Sequence, residues 1–206
     1  MFITLLPYTV MLLVGCSEKP TFNRGLTVAK SGNFQKAIEH FNELAKTSND
    51  PEIFGNRANC YSCLGDIDAA VADYQKAIDL VMARSPNGDD SLLPSLYYNR
   101  GYAYHRAKKY QPAIADYEKT IKIDTDYPDA KNGLAWLLAT CSDPMAQNPQ
   151  RAIELIEEEL MVSPDDPKLL DTAAASYAAA GDFDRAISLQ EAALSHRVAN
   201  DEKEKM

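Results

Sequence analysis

From residue 20 onward the apolar positions recur in a fixed helical pattern. Its clearest mark is an Ala that opens an amphipathic stretch just after a turn: Ala37 in NFQKAIEHF, Ala70 in DIDAAVADY, Ala113 in KYQPAIADY, Ala152 in PQRAIELI and Ala186 in DFDRAISLQ. Successive marks lie 33, 43, 39 and 34 residues apart. Four residues after the Ala comes a bulky side chain in four of the five cases: Phe41, Tyr74, Tyr117 and Ile156. Twelve residues before it comes a small one in the regular cases, Gly25, Ala58, Gly101 and Ala174. Three residues on from these stand Val28, Tyr61, Tyr104 and Tyr177. Spacings of three and four place each set on one face of a helix. The pattern predicts two helices per unit, five units, and an all-α solenoid over residues 21–198.

Packing explains why these residue types recur. A small side chain on the first helix of a pair lets the second approach closely, where a larger one would strain a packed core. The aromatic residues fill the space between pairs. Gly32, Gly65 and Gly181 suit the left-handed residue that ends a first helix. Asp66 and Asp182 follow as N-caps of the second helix. In the third unit Lys108 stands in the glycine's place, and Pro112 lies near the helix start, where its missing N–H is harmless.

The departures carry information too. Nine additional residues separate the second and third units and fall in ARSPNGDDSLLP, a stretch rich in turn formers. In the fourth unit Ala135 keeps register with Gly101 but Ala152 is delayed, so the additional residues sit in the hairpin turn, within CSDPMAQNPQ. Glu159 occupies a position that is small elsewhere, and Gln190 one that is bulky elsewhere. As part of the last unit, Gln190 is expected to face solvent, since terminal repeats are atypical.

Together these residues resemble the tetratricopeptide repeat, whose period is about 34 residues. The resemblance extends over nearly all of residues 20–198, with Ala77 and Ala193 in the next small site and Pro164 in the terminal proline site. It implies a concave face lined by the first helix of each pair and a role in holding a protein or peptide. On the third first helix, Tyr97, Gly101 and Tyr104 form the packing stripe, which leaves Tyr98, Tyr102, His105 and Arg106 for the groove. Asn56 and Asn59 are expected on one side of that stripe, and Asn132 and Trp136 on the other. Amides hydrogen-bond peptide backbone, and Tyr, Trp and Arg are favoured at binding hot spots. Packing against the next repeat is the other use open to these side chains. The Lys/Asn/Arg clamp that some relatives use for C-terminal carboxylates is not evident, since Gly55 and Asn59, Phe22 and Leu26 stand on the corresponding faces.

The opening segment changes the picture. Residues 1–15 carry no charge and are too few to span a bilayer, which needs about 20 apolar residues. Their length suits the apolar core of a secretory signal. The run ends Leu13-Val14-Gly15-Cys16, which resembles the lipobox of bacterial lipoproteins. That resemblance implies a signal peptide over residues 1–15, lipidation of Cys16, a short linker over 16–20 and anchorage in the cell envelope. Ser17 after the Cys points to the outer membrane of a two-membrane cell, on its periplasmic face. One feature of the class is missing: no Lys or Arg precedes the apolar run. A cytoplasmic adaptor whose first segment is an additional packing helix therefore stays open as the alternative, as does a non-catalytic subunit of an enzyme complex. Residues 199–206 read as a charged tail.

A net charge of −9 disfavours nucleic acid, where Lys and Arg must neutralise phosphate, and electrostatic adhesion to anionic lipid. Catalytic signatures are missing. Cys60 and Cys63 form C-x-x-C, but within a predicted first helix, with Tyr61 in the repeat's aromatic slot and no strand before it. His40, His105 and His196 fall in different units, so a metal site is not expected. Asn87-Gly88-Asp89-Asp90 lacks the spacing and closing Glu of a calcium loop, and Glu157-Glu158-Glu159 reads as a charged helix surface. Neither an active site, a cofactor nor a small-molecule substrate is expected.

Overall fold

In the computed structural model, residues 20–203 are described; they form ten helices joined by turns and loops, with no strand among them. The lipobox and Cys16 lie outside the described residues. The chain divides into two compact units, residues 1–107 and 108–206.

The first unit holds α1 (Pro20–Lys30), α2 (Phe34–Ala45), α3 (Pro51–Leu64), α4 (Ile67–Arg84) and α5 (Leu93–Arg106). Each helix packs on the next in sequence, and α3 also touches α1 and α5. The turns follow from local chemistry. Gly32 and Gly65 are left-handed, with φ of 81° and 83°. Beyond them the N–H of Asn33 reaches the carbonyl of Val28 (3.2 Å), and that of Asp66 reaches Tyr61 (3.0 Å). These bonds satisfy carbonyls that the helix end would leave open. Asn33 and Asp66 then cap α2 and α4 by accepting from the N–H groups of Lys36 and Ala69.

Phe22, Leu26, Ile38, Phe41, Ile53 and Cys60 form one buried cluster across α1, α2 and α3. Gly25 is the contact point, because a Cβ there would lie 2.9 Å from Cε1 of Phe41. Farther along, the Arg57 guanidinium grips Asp73 of α4 through two bonds of 2.6 and 2.7 Å. It also donates to Oδ1 of Asn42 on α2 at 2.8 Å. Arg100, 43 residues on, likewise reaches back to the preceding second helix, donating to Oε1 of Gln75 at 2.6 Å. The nine-residue insertion is only partly a loop. Ala83 and Arg84 lengthen α4, Leu93 and Pro94 begin α5, and residues 85–92 remain between them. Arg84 closes this loop with a 2.8 Å bond from Nε to Oδ2 of Asp90.

The second unit holds α6 (Tyr110–Ile123), α7 (Ala130–Thr140), α8 (Pro149–Val162), α9 (Pro167–Ala179) and α10 (Phe183–Lys203). Its helices also pack in sequence, with α7 touching α9. The charged stretch 199–206 lies partly within α10 and partly beyond the described residues. The longer hairpin turn predicted in the fourth unit is residues 141–148, closed by Asn148 N–H on the carbonyl of Leu138 at 2.9 Å. Glu159 is accounted for by Lys131, whose Nζ lies 3.1 Å from Glu158 and 3.3 Å from Glu159. Gln190 is exposed and donates to Asp171 of α9 at 2.9 Å.

A candidate partner surface on the first helices

The face proposed from sequence runs over α3 and α5 in the first unit. Tyr102 and His105 are half-buried and Arg106 is exposed, all on α5, while Tyr98 is buried at the base of the same stripe. Arg106 sets the geometry. Its Nη1 donates to the carbonyl of Ser62 at 2.6 Å, joining the last turn of α5 to the last turn of α3. A helix C-terminus carries partial negative charge on its open carbonyls, so a guanidinium is favoured there. An arginine has five N–H donors, and this bond uses one of them.

The electrostatics follow from burial around that cation. Burial pushes the Tyr102 phenol up, the nearby Arg106 charge opposes it, and Cys63 adds to the rise. Burial raises the Cys63 thiol against the same cation. Burial lowers His105, which is neutral at physiological pH. The face is therefore one guanidinium among neutral aromatic and imidazole groups.

Asn56 and Asn59 lie inside the hairpin. Nδ2 of Asn56 donates to the Glu52 carbonyl at 2.8 Å, and Oδ1 of Asn59 accepts from the Tyr74 hydroxyl at 2.6 Å. Both residues are buried. Asn132 and Trp136 belong to the second unit, on α7. Asn132 is buried, with no hydrogen-bond partner for Oδ1 among the described residues, and Trp136 is half-buried. Ser62 and Cys63, which meet Arg106, were not anticipated. The signal was available in the 43-residue step, which maps His105 and Arg106 back onto them.

Cys60 is buried in the first unit's core, and burial lifts its thiol to about 12, with Cys63 adding to the rise. Cys60, Cys63 and Cys141 are free thiols. A recess of about 690 Å³ opens elsewhere, between the α2–α3 turn and the end of α4, lined by Asp50, Glu52, Leu80 and Arg84 among others. Its mixed polar lining brings together no group on the proposed face.

Residues 49–126 match the tetratricopeptide repeat family. No curated protein matches the chain. Among solved structures, MamA superposes with a TM-score of 0.69 at 22% identity, covering 86% of this chain and 96% of its own. Kinesin light chain TPR-like repeats from Podosopora anserina give 0.72 at 19%, covering 88% and 95%. BtubC from P. vanneervenii gives 0.71 at 20%, covering 86% and 78%. At these identities the likeness concerns the fold. Residues 49–126 thus carry tetratricopeptide repeats, and the chain has the all-α solenoid fold of that type.

Proposed function

We propose that this protein is a non-catalytic scaffold that holds a protein or peptide partner on the first-helix face and is tethered to a membrane through Cys16. The tetratricopeptide fold is typical of protein–protein interaction scaffolds. The observation that carries the partner reading is the stripe Tyr102, His105 and Arg106, accessible on one helix and held in place by the Arg106–Ser62 bond. Aromatic and guanidinium groups pre-positioned in this way lose little side-chain freedom on binding.

The tether rests on the lipobox-like sequence. Two acyl chains hold a protein stably, each buried CH₂ contributing about 0.8 kcal/mol. With Ser17-Glu18-Lys19 as spacer, the first helix would stand roughly 10 Å from the bilayer at about 3.3 Å per residue. Among the described residues no helix is long and apolar enough to cross a membrane.

Two experiments test the parts separately. Crosslinking from native membranes identifies the partner, and a Tyr102→Ala, Arg106→Ala double variant is then assayed for its capture beside helicity. Retained capture with retained helicity refutes this face. For the tether, Cys16→Ser is expected to move the protein into the soluble fraction. An unchanged membrane fraction removes the lipid anchor, and wild type already in the cytosol favours the adaptor reading.

A further inference from the structure

The first helices of the first unit carry an arginine at one fixed place. Arg24, Arg57 and Arg100 stand thirteen residues before Ala37, Ala70 and Ala113. Where a hairpin precedes, this arginine reaches back to it. Arg57 donates to Asn42 at 2.8 Å and Arg100 to Gln75 at 2.6 Å. Asn42 and Gln75 each stand five residues after their own marker, Ala37 and Ala70. The same two positions meet at both joints, so the bond belongs to the stacking register. In the second unit Leu134 and Ala173 hold the matching places on α7 and α9. A first helix therefore does not need the arginine for its own fold.

Arg24 is this arginine on α1, which no described hairpin precedes. It is exposed and makes no hydrogen bond or ion pair among the described residues. Arg57 is also held by Asp73, three residues after Ala70 in its own hairpin. In the first hairpin His40 takes that place and offers no carboxylate. Arg24 thus has neither of the partners that Arg57 has.

The last helix supplies the missing acceptor. Ala186 and Ala193 are buried on α10 as Ala70 and Ala77 are on α4, which fixes its register. Five residues after Ala186 stands Glu191, exposed and without an ion pair among the described residues. A carboxylate accepts from a guanidinium more strongly than the amides of Asn42 and Gln75 do. Among the described residues α10 packs on α9 alone. Ile187 is exposed there, whereas Ile38 at the same place in the first hairpin is buried against Ile53 and Cys60 of α3. The apolar share of such a joint is smaller than inside the chain. Thr27 stands in the place of Cys60, and Gln190, turned to Asp171, in that of Phe41. Charge complementarity therefore selects the partner, and the association is weak and reversible. We infer that α1 of one copy stacks on α10 of another, with Arg24 donating to Glu191, so that copies of this chain associate head to tail. The joint uses none of the residues of the face on α3 and α5 and stands independently of that reading.

Sedimentation velocity of the full chain over a concentration series reads the self-association, with circular dichroism as the check on folding. Arg24→Glu and Glu191→Arg each place like charges across the joint and are expected to weaken association at least fivefold with unchanged helicity. The double variant carrying both substitutions restores opposite charges and is expected to return to the wild-type constant within about twofold. A wild type that stays monomeric throughout the series overturns the proposal. So does either single variant associating as wild type does, which would place the contact elsewhere, for instance between two copies of α10. A double variant no stronger than the single ones also overturns it, since the two side chains would then not meet.

Discussion

The Tyr74 hydroxyl donates to Oδ1 of Asn59 across 2.6 Å, inside the second hairpin, where the two residues are 0 and 1% exposed. This bond joins α3 to α4 through the bulky site of the repeat. A hydrogen bond between buried groups typically contributes about 0.5–1.5 kcal/mol, and stripping one partner costs about 1–3 kcal/mol. Tyr74→Phe and Asn59→Ala are each expected to destabilise within that range. A double-mutant cycle measured by denaturant unfolding should show coupling of about 1 kcal/mol. Coupling near zero would mean that Asn59 serves something other than its own hairpin.

Two glycines on first helices should respond oppositely to the same change. A Cβ on Gly25 would lie 2.9 Å from Cε1 of Phe41, a ring packed in the core. Overpacking there costs about 1–3 kcal/mol, which exceeds the gain of up to about 1 kcal/mol from replacing a helical Gly with Ala. A Cβ on Gly133 would meet Tyr117 at 3.5 Å, an ordinary contact. Gly25→Ala should lower the melting temperature and Gly133→Ala should leave it unchanged or raise it. Equal losses at both sites would contradict this account of the small positions.

Lys108 takes the left-handed conformation, at φ 58°, where the equivalent turns use Gly32, Gly65 and Gly181. An L-residue costs about 1–2 kcal/mol in that conformation, partly offset by the greater chain entropy that glycine loses on folding. Lys108→Gly is expected to raise stability by up to about 1 kcal/mol, or a few degrees in Tm for a chain of this size. A lower Tm would show that the lysine side chain contributes more than its backbone strain costs.

Stability should decline at both ends of the pH range, through two different groups. Burial lowers His105, so as the pH falls below about 6.5 the unfolded chain takes up a proton before the folded one. That contribution is present above the ordinary histidine range and lost on acidification, and His105→Gln should flatten the acid limb of a Tm–pH curve. Burial lifts Cys60 to about 12, so its contribution is present below the usual thiol range near 9 and lost as the pH rises toward 12. Alkylation at pH 8, mapped by peptide mass spectrometry, should label Cys60 at least tenfold more slowly in the folded than in the unfolded chain. Fast labelling of Cys60 in the folded chain would contradict its place in the core.

The sequence by itself determined the repeat and therefore the fold class. Small, aromatic and glycine positions act within a turn or between neighbouring helices, where spacings of three, four and about 34 residues translate directly into faces. Even the exceptions were readable there: Lys108 keeps the backbone conformation of the glycine it replaces, because the turn imposes it. What tertiary structure decided was which polar side chains are consumed by packing. Asn59 has the residue type of a partner contact, yet its amide oxygen serves Tyr74, fifteen residues away. Arg106 meets a backbone carbonyl 44 residues back, and Glu159 is made tolerable by Lys131 of a neighbouring helix. An amide or a guanidinium gives the same sequence signal whether its hydrogen bonds end in the protein or in a partner. The choice depends on distances between helices, which periodicity along one helix does not contain.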